Sequence, residues 1–135
     1  MRNWCEWLAE QIRPLAVPYP VYSICDPTRE YDGEVLIEFN ENEYKVQTLL
    51  SGDDIRTHNL VAACRSPTFE LSSALIENIK KLIEEILTNE ENEGGLLSFV
   101  WDETGVSADI RGIVEGESFY GYSEFTITER VNYVC

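Results

Sequence analysis

Residues 68–89 constrain the fold more than any other part of this chain. Leu71, Leu75, Ile79, Leu82 and Ile86 recur at helical spacing, and Ile76, Ile83 and Leu87 widen the stripe. Ser66 and Pro67 stand before it as the expected N-cap and first-turn proline. A face this broad must be covered: burying these side chains contributes on the order of 12–24 kcal/mol before entropy is subtracted. The helix is therefore expected to lie on a sheet.

The chain end supplies a strand. In residues 124–135 Phe125, Ile127, Val131, Tyr133 and Cys135 alternate with Thr126, Thr128, Arg130 and Asn132, the period of a half-buried strand. At about 3.3 Å per residue it reaches roughly 36 Å, about twice an ordinary strand. Part of it is expected to lack a partner within the chain and to find one in a second subunit. The preceding Gly121-Tyr122 reads as a turn, and aromatics between glycines at a turn suit either a core lid or a contact surface. Phe119, Tyr120, Tyr122, Phe125, Ile127, Val131 and Tyr133 are the candidate subunit interface.

Between these elements the pattern predicts an α+β domain spanning residues 1–135, with a mainly antiparallel sheet packed by one long helix and a short N-terminal helix. Asn3 and Glu6 have capping-box spacing, and Trp4, Trp7, Leu8 and Ile12 follow at helical intervals until Pro14. Pro14, Pro18 and Pro20 make an extended connector to a strand over 21–25, and residues 26–33 read as a loop. Residues 34–39 and 44–50 read as a hairpin around Asn40-Glu41-Asn42-Glu43. Residues 51–59 read as a polar, mobile stretch and 60–65 as a buried strand. After Gly94-Gly95, strands are expected over 96–101 and 106–114, with 102–105 as the turn.

Charge narrows the function. The net charge is −15, from 25 acids and 10 bases, so the clustered Lys and Arg that neutralise nucleic-acid phosphates or anionic membranes are missing. Solubility through self-repulsion explains such a charge, as does an acidic face for a basic partner or for a passage to which DNA does not adhere. Glu84, Glu85, Glu90, Glu91 and Glu93 crowd the end of the long helix, where each acid near the last turn costs about 0.3–1 kcal/mol against the macrodipole. With Asp53 and Asp54 they form the candidate acidic patch, facing either a partner or a lumen. Cys5, Cys25, Cys64 and Cys135 lack paired spacing and sit among apolar neighbours, which predicts buried free thiols in a reducing compartment. Residues 1–17, interrupted by Glu6, Glu10 and Arg13, read as neither a signal peptide nor a membrane anchor.

Catalytic and metal-binding patterns are not visible. His58 is the only histidine; it lies in the polar run GDDIRTHN, which reads as a surface loop with no nucleophile signature beside it. There is no Cys or His pair at metal spacing, no Asp-x-Asp-x-Asp-Gly loop and no phosphate-binding glycine motif. A chain that is not an enzyme, and needs no cofactor, is the expectation.

The helix WCEWLAEQI, the passage LVAACRSPTFELSSALIENIKKLIEEIL and the closing ADIRGIVEG…YGYSEFTITERVNYV resemble, in their order, the small tail-terminator or tail-completion proteins of tailed phages. The resemblance implies an α/β sandwich with helices packed on a sheet, and a hexameric ring at the head-proximal end of the tail tube, without catalysis or cofactor. It also implies contacts with the tube, with the sheath in contractile tails and with the neck or connector, with DNA passing through the lumen. The place is then the virion tail, reached through the host cytoplasm. Residues 14–20 and 26–33 depart from the pattern. A rival expectation is a small acidic inhibitor, an immunity or anti-defence protein that presents carboxylates to a basic partner; an enzyme built on His58 is a third.

Overall fold

The computed structural model describes residues 3–15, 19–22, 35–109 and 118–131. Helix α1 (Trp4–Ile12) leads into β1 (Val21–Tyr22), β2 (Leu36–Thr48), β3 (Asp54–Ser66), α2 (Phe69–Asn92), β4 (Ser98–Asp109) and β5 (Ser118–Val131). The sheet runs β1-β2-β3-β5-β4, antiparallel except for the short parallel β1–β2 pair. The architecture is α+β, as the periodicity predicts, with the helices packed on one face of the sheet.

Each helix begins at a capping side chain. The Asn3 side chain accepts from the Glu6 amide at 3.2 Å, which supplies one of the first-turn amides with a partner. Helix α2 is capped by Thr68, whose hydroxyl accepts from the Leu71 amide at 3.2 Å; the cap therefore lies two residues after the expected Ser66. Ser66 instead ends β3, and its hydroxyl donates to the Thr68 carbonyl at 2.8 Å. The deepest seam of α2 is Ser72, Leu75, Ile76, Ile79, Ile83 and Leu87, while Leu71, Leu82 and Ile86 flank it half-buried. The wide stripe of the sequence is real, with its centre shifted toward Ile76 and Ile83.

Both expected turns within the strand regions are bulges. Strand β2 runs unbroken through residues 40–43, with Asn42 the extra residue between the Glu41↔Leu60 and Glu43↔Asn59 pairs. One added residue lets a strand bend without ending it. The reversal comes later, at residues 49–53, where the Leu49 amide donates to the Asp53 carbonyl at 2.8 Å and Gly52 takes φ +94. The stretch expected to be mobile, residues 51–59, thus supplies this turn and the first half of β3. In β4 the register slips by one between Trp101 and Thr104, so residues 102–105 do not turn. The expected strand over 106–114 is the second half of β4 as far as Asp109, and its remainder lies outside the described residues, as do most of residues 21–25 and all of 132–135.

Strand β5 is interior, paired with β3 along one side and β4 along the other. From Phe119 to Thr128 both neighbours come from the same chain; residues 129–131 pair with β3 alone, and residues 132–135 of the expected unpartnered end lie outside the described residues. Its odd residues face the helices: Phe125 and Ile127 are fully buried beside Leu60, Ala62, Ile79 and Ile83. Gly121 is no turn residue but a point of close approach between sheet and helix. A Cβ there would lie 3.0 Å from the Cys64 sulfur, 3.1 Å from the Ser72 carbonyl oxygen and 3.4 Å from the Ile76 Cβ.

That geometry makes a prediction. Gly121→Ala forces α2 away from the sheet and is expected to destabilise the fold by about 1–3 kcal/mol, the usual range for overpacking. Urea unfolding followed by circular dichroism measures it; an unchanged midpoint contradicts the close approach.

Candidate functional site

His58 is the largest departure from the sequence reading. Its place in β3 turns it toward the helix-bearing face, where it is 7% exposed. Nε2 lies 3.0 Å from Glu129 Oε2 on β5, and Nδ1 lies 3.1 Å from Glu41 Oε1 on β2. Glu129 Oε2 also accepts from the indole N–H of Trp4 on α1. The Tyr44 ring packs 4.9 Å from the imidazole, and beside them Arg56 forms a buried ion pair with Asp54 at 3.6 Å. A groove of about 290 Å³ opens here between the start of α1 and β2.

The arrangement suits structure more than chemistry. Both ring nitrogens meet carboxylates, so only imidazolium donates to both. No hydroxyl or thiol bonds to the ring among the described residues. The two carboxylates lie on opposite sides of the imidazole, and no described cluster of His, Cys, Asp and Glu is arranged to hold a metal ion. The nearby Cys5 thiol is pushed up to about 12 by burial and by Glu41 and Glu6, and burial pushes Cys64 up to about 11. Both are buried free thiols, poor nucleophiles at neutral pH.

The second face of the sheet bears no helix among the described residues. Even positions of β5 project here, and Tyr120 and Tyr122 stack with ring centroids 5.9 Å apart and planes inclined by 23°. The bulge in β4 brings two carboxylates to the same face. Asp102 accepts from Thr126 at 2.7 Å and Asn59 at 3.2 Å; Glu103 accepts from the Tyr122 hydroxyl at 2.8 Å. This bond, with burial and the charges of Glu103 and Glu124, holds the Tyr122 phenol above its ordinary value. Glu124 accepts from Asn42 at 3.4 Å. Tyr120, Tyr122, Glu103, Glu124 and Asn42 border, with Asn40 and Val61, a second groove of about 290 Å³.

The expected interface residues separate. Tyr120 and Tyr122 lie on the second face, whereas Phe119 is half-buried on the helix side, edge-to-face with Phe69 at 6.1 Å. Phe125 and Ile127 are core, and the reason is parity: odd residues of β5 point under α2. Val131 is half-buried at the strand end, and Tyr133 lies outside the described residues. The expected acidic patch divides as well. Glu84, Glu85, Glu91 and Glu93 are exposed and Glu90 half-buried on the last turns of α2, which carry no basic residue in the final turn. Asp53 and Asp54 differ from them in having close partners: Arg130 holds Asp53 through bonds of 2.9 and 2.7 Å, and Asp54 is buried against Arg56 and Thr48. Glu103 and Glu124 were missed; the period-2 pattern that placed Phe125 and Ile127 on one face already put Tyr120, Tyr122 and Glu124 on the other. The sequence matches no protein-family model and no curated protein.

The histidine centre fixes a pH dependence. Burial alone lowers the pKa of His58, but its hydrogen bonds to Glu129 and Glu41 outweigh that and raise it above 6.5. Burial raises Glu129, and its bonds from His58 and Trp4 bring it below 4.5. The histidine's contribution is complete below the unfolded value and is lost as pH rises through the folded one; that of Glu129 is present above its unfolded value and lost on acidification. Stability from this centre is therefore greatest between about pH 4.5 and 6.5. Urea unfolding of the native chain and His58→Gln should show their largest difference near pH 6 and a smaller one at pH 8.5; a constant difference contradicts the imidazolium.

Proposed function

We propose that this chain is a non-enzymatic subunit of a homo-oligomeric ring, of the tail-terminator kind that closes the head-proximal end of a phage tail tube and joins it to the neck. The observation that carries the reading is the outer half of β2. Every residue from Glu41 to Thr48 is exposed, with Tyr44 at 46% and Val46 at 48%. Beyond the Tyr22↔Glu38 pair no described strand lies along its outer side. Such an edge is ready to add a neighbour's strand through main-chain hydrogen bonds.

Two further features support it. The helices pack on one face of the sheet, and on the other the β5 residues Tyr120, Tyr122, Glu124, Thr126 and Thr128 stay part-exposed; a net charge of −15 favours DNA sliding past a ring without adhesion. On this reading the ring meets tube, sheath and neck proteins, carries no cofactor and acts in the virion. The small acidic inhibitor is supported by the exposed glutamates at the end of α2 and is weakened by the ion pairing of Asp53 and Asp54.

Light scattering across concentration and salt tests the proposal: a hexamer, or a monomer that rings on added tail tubes, is expected. Val46→Lys places a charge on the edge, and it should lower the association constant at least tenfold while leaving the monomer folded. A concentration-independent monomer that ignores tubes and binds a basic protein in low salt overturns the ring in favour of the inhibitor.

A further inference from the structure

The second-face groove has the composition of a cation receptor. One wall is the stacked Tyr120–Tyr122 pair. The other sides carry Glu103 and Glu124, whose bonds come from a phenol and an amide; among the described residues no ion pair reaches either carboxylate, and none of those that line the groove is basic. Two negative charges thus face a half-open space beside aromatic rings, with only neutral donors attached.

The molecule contains an internal precedent. Beside Tyr120 the buried Arg65 sets its guanidinium carbon 6.0 Å from the ring centroid, within cation–π range. Arg65 meets Tyr120, Tyr120 stacks on Tyr122, and the groove that both tyrosines line extends to Glu124. A guanidinium entering there stacks on Tyr122 and donates N–H bonds to Glu103 and Glu124. Arginine suits this better than lysine, because its planar fork combines stacking with paired donation to carboxylates.

We propose that this groove binds an arginine side chain of a basic partner protein, docked on the second face of the sheet. Charge complementarity selects a different protein over a second copy, since each copy brings a net charge of −15. The proposal gives the ring reading a partner of stated chemistry, and it uses a face separate from the β2 edge.

The probe is the capped tripeptide Gly-Arg-Gly, titrated into the full chain and followed by amide chemical shifts, with Gly-citrulline-Gly as the uncharged control. Saturable shifts confined to residues 40–42, 103 and 120–124 are expected, weakened at least tenfold by citrulline and by Glu103→Gln with Glu124→Gln. Tyr122→Phe, which keeps the ring but frees Glu103, should weaken binding by a smaller factor. Shifts that centre on the glutamates of α2, or an equal response to citrulline, overturn the proposal, as does the absence of saturable shifts. Light scattering on the same samples separates the two readings. A ring whose groove ignores arginine sinks this inference alone, and a monomer whose groove binds it sinks the ring alone.

Discussion

The close approach of α2 to the centre of the sheet is the constraint on which the other features depend. Gly121 removes a side chain from β5 where the helix begins, so Ser72 and Ile76 come down almost to the strand backbone. The Ser72 hydroxyl pairs with Ser66 at 2.5 Å and with the Phe119 carbonyl at 3.0 Å, which ties the first turn of the helix to β3 and β5 together. From that point the apolar seam of α2 lies over β3, β5 and β4. Strand β5 is thereby held in the middle of the sheet with its apolar residues beneath the helix.

Where the helices give out, the same face turns polar. Beyond Leu60 and Phe125 the strands place His58, Arg56, Asp54 and Glu129 on the helix side, and α1 reaches Glu129 through Trp4. Charges at such a boundary are stable when each is matched by a partner. Glu129 and Glu41 match His58, and Asp54 matches Arg56. The histidine centre thus joins α1, β2, β3 and β5 through charge-assisted bonds, where apolar packing stops.

With these acids internally matched, the unmatched charge lies elsewhere. Among the described residues it includes Glu84, Glu85, Glu91 and Glu93 at the end of α2, where no basic residue offsets the macrodipole, and Glu103 and Glu124 in the groove. The proposed assembly role would draw on the exposed outer half of β2 and on the part-exposed β5 side of the second face. His58 has both ring nitrogens committed to carboxylates.

Much of the fold was legible because period and capping are local properties. The amphipathic stripe of residues 68–89 and the alternation of residues 124–131 each follow from the spacing of side chains on one element, and the Asn3 cap of α1 from a side chain's reach to the next turn. Asn40–Glu43 and Asp102–Gly105 misled because polar residues suit a bulge as well as a turn; strand pairing decides between them. The same limit hid the site. His58 reads as a loop residue until β2 and β5 bring Glu41 and Glu129 to its two sides, and Glu103 meets Tyr122 only when β4 bulges beside β5. What the sequence determined by itself is the α+β class, the buried faces and the acidic charge, since these depend on composition and short-range periodicity. The order of the strands, the core position of Phe125 and Ile127 and the partners of every charge were decided by the tertiary structure, because contacts between residues far apart in the chain exist only once the strands are in register.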